Sequence, residues 1–502
     1  MQHKIFHITE RGQAIILIAA AAIGLIAMVG LIVDGGILLI EYGRLKRAID
    51  AASLSAALQY REGYTITELE NASEEFLNLN QSNVFNIQVD TDDTDASLVT
   101  SPRRKMVRVT ASRHVRFGFL RVIGIYETDL TATSIGEAAS VDLVIVLDSS
   151  QSMAAEGGNY PNHYAPGDYD DYGDPYRSDM PQDDPSQCNP TNTCHPFLEI
   201  KEAAKALVDK LYFPYDHVAI VTFDRDAHEA LSLTGDGYGI DYDTMTSAQI
   251  KAAIRANIDA LTVFQPPQAC IYPLAPPQTD TETHCINNPL LPKEEPAVGT
   301  VDVFNYPMFV ASAPNYNPSS IAAGNIGGGL GAAGDEFGNA RDNSLWVVIV
   351  LAGSPATTGC THTTGFFVTD CAGKNTTAQG RICPGTPGNP DWVEPLCRDN
   401  LASSRHASSS PSYDADDYAR DNADWIAGPD TSAIIFSIGL GNLVITSPAG
   451  DPDAGEQLLT YAAMGAGGSD ANHGAYYFSP DAFGLQAIFL EIANNIATRL
   501  SQ

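Results

Sequence analysis

The sequence predicts an α/β protein in three parts: a long amino-terminal transmembrane helix, a small α+β spacer, and a large domain whose parallel sheet carries helices on both faces. Three observations lead there. The run AIILIAAAAIGLIAMVGLIV, Ala14 to Val33, is 20 residues without a charge. The segment VDLVIVLDSSQSM, from Val141, is an almost unbroken apolar strand that ends in polar residues. Beyond it, strand-like and helix-like stretches alternate to the carboxyl terminus. Strands buried on both faces read as continuous apolar runs, and alternation with helices is the pattern of a parallel sheet.

A helix rising ~1.5 Å per residue covers ~30 Å over the apolar run, enough to span a bilayer. A cleaved signal peptide has a shorter apolar stretch followed by a small-residue cleavage site, whereas this one continues into Asp34 and GGILLI. We therefore expect an uncleaved anchor in the cell membrane. Lys4 and Arg11 precede the span and Arg44, Lys46 and Arg47 follow it. Those local charges favour an inside position for the following domain; the cysteines and acidic bulk argue for the outside, and we give them precedence. Apolar residues at helical spacing (Ile37, Ile40, Leu45, Ile49, Leu54, Leu58) extend the helix to about Tyr60. Asp34 reads either as an interfacial carboxylate in water or as a partner for a positive group on a neighbouring subunit.

Residues 62–140 form the spacer: a helix over 66–79, strands over 86–90 and 106–114, a short apolar helix over 117–125 and a strand over 129–135. The alternation in VRVTASRHV marks a half-buried strand. The large domain, 141–502, has expected strands at 142–147, 218–223, 345–351, 433–438 and 475–478. Helices are expected at 198–212, 247–261, 326–339, 413–426, 456–464 and 482–500. In open sheets of this kind ligands bind at the carboxyl ends of strands, which is where Asp148, Ser150 and Ser152 fall. Aspartate and two serines in one tight loop supply hard oxygens suited to Mg2+, Mn2+ or Ca2+; alternatively they satisfy loop amides only.

Charge and cysteines bound the function. The 502 residues hold 28 Lys plus Arg against 61 Asp plus Glu, a net charge of −33 that repels nucleic acid and anionic headgroups. The eight cysteines (Cys188, Cys194, Cys270, Cys285, Cys360, Cys371, Cys383, Cys397) lack zinc spacing and read as disulfides in an oxidising compartment. Joining nearest neighbours, 188–194, 270–285, 360–371 and 383–397, is the simplest of the possible pairings. All eight lie in three insertions, 154–195, 263–319 and 352–411, rich in Pro, Gly, Asn, Asp and Ser. The first insertion interleaves Asp168, Asp170, Asp171, Asp174, Asp179, Asp183 and Asp184 with tyrosines. It reads as a solvated acidic loop or an adhesive surface, without the spacing of an EF-hand. No catalytic constellation is apparent, so the expectation is a protein that is not an enzyme.

Two resemblances join these parts. The run from Arg11 to Leu58, with Arg11-Gly12 before the span, Asp34 at its end and Ala48-Ile49-Asp50-Ala51-Ala52 beyond, resembles the amino-terminal segment of TadE/TadG-type proteins of the tight-adherence (Flp) pilus system. The stretch HVRFGFLRVIGIYETDLTATSIGEAA resembles the linker region of TadG-like proteins. In pilin-like relatives a prepilin peptidase cuts after a glycine, which would be Gly12 here, and a glutamate follows five residues on, where this chain has Leu17.

Asp148-x-Ser150-x-Ser152 after a buried strand, with AIVTFD (219–224), FSIGLG (436–441) and the terminal stretch from Tyr476, resembles a Rossmann-like von Willebrand factor type A domain. The resemblance implies a metal-ion-dependent adhesion site. Two further family ligands, a threonine and an aspartate, fall at Gly324 and Gly353. Ser319, Ser320, Asn325 or Ser354 could substitute for them, with no placement read from the sequence, and the loss of an anion implies weak cation binding. The resemblances together imply a single-pass membrane protein with an extracytoplasmic domain, associated with a pilus, that binds pilus or envelope proteins or a host or abiotic surface. The other implied reading is a structural minor pilin whose head caps or initiates a filament without a ligand.

Overall fold

The computed structural model describes residues 11–60, 63–80, 83–154, 185–224, 227–264, 324–341, 343–356, 405–407, 413–446 and 453–500. The chain divides into two compact units, Met1–Ala139 and Ser140–Gln502.

The first unit is built on one helix, α1 (Arg11–Gln59), of 49 residues. Its apolar half is exposed all round as far as Val29, and beyond it on the faces away from Gly30: Ile16 is 71% accessible, Leu25 66% and Ile32 64%. Its second half lies, with α2 (Ile66–Asn80), on an antiparallel sheet of order β1-β2-β3, formed by Val84–Thr91, Lys105–Arg116 and Glu127–Ala138. The face it buries is Leu45, Ile49, Ala52 and Ala56. These recur at spacings of four and three and so share one side of the helix. Leu54 and Leu58, expected on that side, are half exposed. At ~100° per residue they point away from Leu45. Polar groups fix the register: Lys46 Nζ donates to the Thr133 carbonyl and to Asp50 Oδ1, both at 2.8 Å.

The short helix expected over 117–125 is instead a 3-10 turn, Leu120–Ile123, ended by Gly124 at φ 90°. The β2–β3 connection closes on itself, Phe117 N–H donating to the Tyr126 carbonyl and Ile125 N–H to the Leu120 carbonyl, and the reversal uses Gly124 in the left-handed region. This turn explains Asp34. Its carboxylate is fully buried and accepts the backbone N–H groups of Gly118, Phe119 and Leu120 at 2.9, 2.9 and 2.7 Å. Neither expected environment applies: the acceptor serves amides of its own chain that no helix or strand ladder satisfies.

The second unit holds a six-stranded sheet of order β6-β5-β4-β7-β8-β9. The strands are β4 (Ser140–Asp148), β5 (His217–Phe223), β6 (Ala227–Leu231), β7 (Ser344–Ala352), β8 (Ile434–Leu440) and β9 (Tyr476–Ser479). All pairings are parallel except that of β6 with β5. β6 is absent from the sequence reading because AHEAL carries little apolar alternation; an antiparallel edge strand needs only a tight reversal from its neighbour. The expected strands elsewhere are present with ends shifted by a residue or two.

Side chains of β4 alternate between two cores. Leu143, Ile145 and Leu147 pack with α4 (Phe197–Val208), α5 (Ser247–Asp259) and α10 (Leu485–Leu500). Val144 and Val146 pack with α6 (Ile326–Glu336), α7 (Ala415–Ala427) and α9 (Ala454–Met464). Two shorter helices, α3 (Pro185–Thr191) and α8 (Leu443–Thr446), lie in connections. Glycine in α6 is unfavourable for a free helix, but a Cβ on Gly329 would come within 2.9 Å of both Phe223 and Val146. Close approach to the sheet is what that glycine allows. Cys188 and Cys194 are joined by a disulfide across the end of α3; the other expected pairs lie outside the described residues.

At the amino edge of the sheet, Asp142 is buried and paired with Arg341. Its carboxylate accepts Arg341 Nε at 3.0 Å, the Arg341 backbone N–H at 2.8 Å and Ser344 Oγ at 2.6 Å. Arg341 also donates to the Tyr215 carbonyl at 2.6 Å, tying the entries of β4, β5 and β7 together.

Two outcomes follow. Asp34→Ala leaves three amides without their acceptor, so hydrogen exchange at Gly118, Phe119 and Leu120 should accelerate while exchange in β2 and β3 stays slow. Arg341→Met strands the Asp142 carboxylate and should destabilise the second unit by about 3–5 kcal/mol in chemical denaturation, with no change in the first unit.

Candidate functional site

The strand order places a topological switch point between β4 and β7: from β4 the chain winds outward to β5 and β6, then returns to β7 and winds to β8 and β9. Crevices at such points, outside the carboxyl ends of the strands, are the usual ligand sites of open α/β sheets. Asp148 is the last residue of β4 and is fully buried.

Asp148 bridges this crevice. Its Oδ1 accepts the Ser150 backbone N–H at 2.9 Å, and its Oδ2 accepts the Gly353 N–H, just past the end of β7, at 3.0 Å. Burial pushes its pKa above the usual carboxylate range, against the lowering effect of the Ser150 and Gly353 hydrogen bonds, and the charge of Asp224 adds to the rise. Ser150 and Ser152 are buried beside it, their hydroxyl oxygens 2.7 Å apart. Both hydroxyls can thus face one point. On the other side, Ser149 N–H donates to the Phe223 carbonyl at 2.8 Å and its Oγ donates to the same oxygen at 3.1 Å, so the loop is stapled to β5.

The structure adds a residue that sequence reasoning missed. Asp224 follows β5 directly, and Phe223 pairs in register with Asp148, so the two carboxylates leave adjacent strand ends. Asp224 is buried, and its carbonyl accepts the Asn325 N–H at 2.8 Å. Asp224 is thus a second carboxylate close enough to Asp148 to raise its pKa. The signal was present: Asp224 ends AIVTFD as Asp148 ends VDLVIVLD, and in parallel neighbours equivalent ends are adjacent.

The remaining sequence candidates are placed as follows. Gly324 and Gly353 lie at the starts of α6 and the post-β7 segment and present no ligating side chain. Asn325 is committed to capping α6, its Oδ1 accepting the Gly328 N–H at 2.8 Å. Ser354 is buried in the segment after β7. Ser319 and Ser320, and the aspartates of the first insertion, lie outside the described residues. Among the described residues no group of three His, Cys, Asp or Glu could hold a metal ion. The donor chemistry still suits a hard divalent cation: two carboxylates and two hydroxyls, with neither nitrogen nor sulfur.

Beside this loop opens a cleft of about 620 Å3, lined in part by Ser149, Asn189, Asp224, His228 and Phe264. His228 Nε2 is 3.7 Å from Asp224 Oδ1. Asn189, within the disulfide-closed loop, donates to the Val263 carbonyl at 2.8 Å and accepts the Val263 N–H at 2.9 Å. Phe264 N–H donates to the Ser149 carbonyl at 2.7 Å. The described ends of two insertions, at Ala154 and at Ala352 to Ala356, leave the sheet at this same edge.

No protein-family model matches the sequence, and no curated protein does. Among solved structures the chain is similar to the pilus adhesin SpaC from Lactobacillus rhamnosus GG, at 11% identity and a TM-score of 0.35, over 79% of this chain and 33% of that one. The chain thus spans about a third of that adhesin's length. It is also similar to the vWF domain of the type V pili tip protein Mfa5 from Porphyromonas gingivalis, at 15% identity, 72% and 97% coverage and a TM-score of 0.35. The PilB minor pilin from Streptococcus sanguinis matches at 12% identity, 84% and 80% coverage and a TM-score of 0.34.

Proposed function

We propose that this chain is a membrane-anchored, extracytoplasmic, pilus-associated protein of the tight-adherence type, not an enzyme, whose large domain binds a protein or surface at the carboxyl edge of its sheet. The observation that carries the reading is the Asp148-Ser150-Ser152 loop, buried at the switch point and opening beside a cleft. A long helix with an exposed apolar half supports the anchor, and the Cys188–Cys194 bridge supports an oxidising compartment. The resemblance to type A domains supplies the adhesion role, since in that family the loop holds a cation that takes a carboxylate from a partner.

In this chain Asp148, Ser150 and Ser152, with Asp224 nearby, would hold a weakly bound Mg2+, Mn2+ or Ca2+. When bound, the ion supplies an electrophilic position for a partner's carboxylate. The protein's own part is to hold the two hydroxyls together, to fix Asp148 through the Ser150 and Gly353 amides, and to keep the second carboxylate close. With glycines at 324 and 353, fewer ligands are available and affinity is expected in the weak range of hard-cation sites, about 10⁻⁴–10⁻³ M.

A second reading, of a filament subunit, is favoured by the exposed apolar surface of α1, which can pack on sister helices as readily as on lipid. Shearing separates the two: an envelope protein stays with the membrane fraction, and a filament subunit leaves with the sheared pili. For the site itself, calorimetric titration of the full chain in detergent with each of the three cations should give millimolar-range heat that disappears in Asp148→Ala and weakens in Asp224→Asn. Equal heat in the parent and in Asp148→Ala would end the metal reading.

A further inference from the structure

Among the described residues, outside the sheet edge and the apolar half of α1, a conspicuous exposed apolar surface is the β2–β3 turn of the first unit. Phe119 is 47% exposed, Val122 87%, Ile125 47% and Tyr126 61%, four large apolar or aromatic side chains within eight residues. A turn at a hairpin tip is ordinarily polar. This one is FGFLRVIGIY.

Its position on α1 is fixed by two contacts on one face of the helix. Asp34 accepts the amides of Gly118, Phe119 and Leu120. One helical turn earlier, Gly30 lies against Phe119, where an added Cβ would come within 2.6 Å of the Phe119 Cβ. The turn therefore reaches the level of residue 30, inside the uncharged run that ends at Val33. The other faces of the helix at that level are apolar and exposed: Leu31 at 59%, Ile32 at 64% and Val33 at 40%. Any lipid layer that covers those residues must also reach the turn fastened beside them.

We propose that the segment Phe117–Tyr126 is a second membrane contact, which seats Phe119, Val122, Ile125 and Tyr126 in the acyl–headgroup boundary of the leaflet from which α1 emerges. The inference rests on the membrane-anchor reading above. Its chemistry is that of an interfacial segment. Aromatic side chains prefer this depth. Arg116, whose side chain is 83% exposed and lies 3.9 Å from Glu127, flanks the turn, and the Arg121 guanidinium lies 6.0 Å from the Tyr126 ring, so Arg121 places a cationic group at headgroup level. A helix alone can rotate and tilt in the bilayer. Two contacts at the same depth set both, and with them the orientation of the first unit over the membrane.

The test uses the full chain in nanodiscs of phosphatidylethanolamine and phosphatidylglycerol that contain lipids spin-labelled either near the headgroup or mid-chain. Val122→Trp adds a fluorophore at an exposed site that the fold does not use, and Ile23→Trp adds one in the middle of the span; each is read as the difference from the parent. The expected result is loss of Val122→Trp emission to the shallow quencher and of Ile23→Trp emission to the deep one. If Ile23→Trp is quenched while Val122→Trp keeps a water-like, unquenched emission, the turn is not in lipid and the proposal fails with the anchor intact. If Ile23→Trp is unquenched, the anchor reading fails and takes the proposal with it. A blue-shifted, unquenched Val122→Trp whose shift follows the protein-to-lipid ratio would assign the turn to contact with a second copy and overturn the lipid assignment.

Discussion

Burial of β4 on both faces is the constraint on which the large domain depends. Val141 and Leu143 to Leu147 are each at most 1% exposed and divide between two cores, so no side chain in the middle of the strand can carry a polar role. Polar chemistry is forced to the ends. At the amino end Asp142 is neutralised by Arg341 and ties three strand entries together. At the carboxyl end Asp148 accepts the Ser150 and Gly353 amides and pairs with the Ser150 side chain, with no cationic side chain among these partners, and Asp224 lies close enough to oppose its charge. One buried carboxylate is structural and complete; the other sits where a cation would relieve the repulsion.

The first unit solves a different problem with the same means. Its helix must be apolar all round in one half and apolar on one face only in the other; exposed apolar residues continue past Asp34 to Leu39 and Ile40, and the one-faced pattern begins at Leu45. At Asp34 a buried carboxylate satisfies three turn amides and fastens the hairpin tip to the helix. The alanines that follow keep the helix close to the sheet, because small side chains allow backbones to approach. Ala48, Ala52, Ala56 and Ala57 are all buried, whereas Leu54 and Leu58 are not. Leu45 and Ile49 share that packed face, so position around the helix selects it, and the alanines set how closely it approaches.

The elements that sequence reading anticipated share a physical origin. The span, β4, β5, β7 and β8 are long runs of one polarity, and α4, α5, α7 and α10 are strongly periodic, so local pattern and burial agree. What it missed or misplaced depended on partners distant in the chain. β6 exists because β5 offers a free edge. The turn after β2 is a 3-10 turn because Gly124 and Asp34 close it. Asp224 joins the site because β5 lies beside β4, a neighbour relation that no spacing along the chain encodes.

The sequence by itself determined the apolar rod, the mixed α+β elements after it and the doubly covered parallel sheet, since each follows from the polarity and period of contiguous residues; that the rod and the mixed elements form one compact unit, Met1–Ala139, was decided by packing. It also determined that Asp148, Ser150 and Ser152 emerge together from a buried strand, because they are two residues apart. Only the tertiary structure decided what those groups face. Register across the sheet put Asp224 beside Asp148, the Gly353 amide closed the crevice across the switch point, and the hairpin tip came to rest on the end of the span. The Asp148–Gly353 and Asp34–Gly118 contacts join residues at least 84 positions apart, and the approach of Asp224 follows from the pairing of Phe223 with Asp148; such relations are chosen by packing rather than by local pattern.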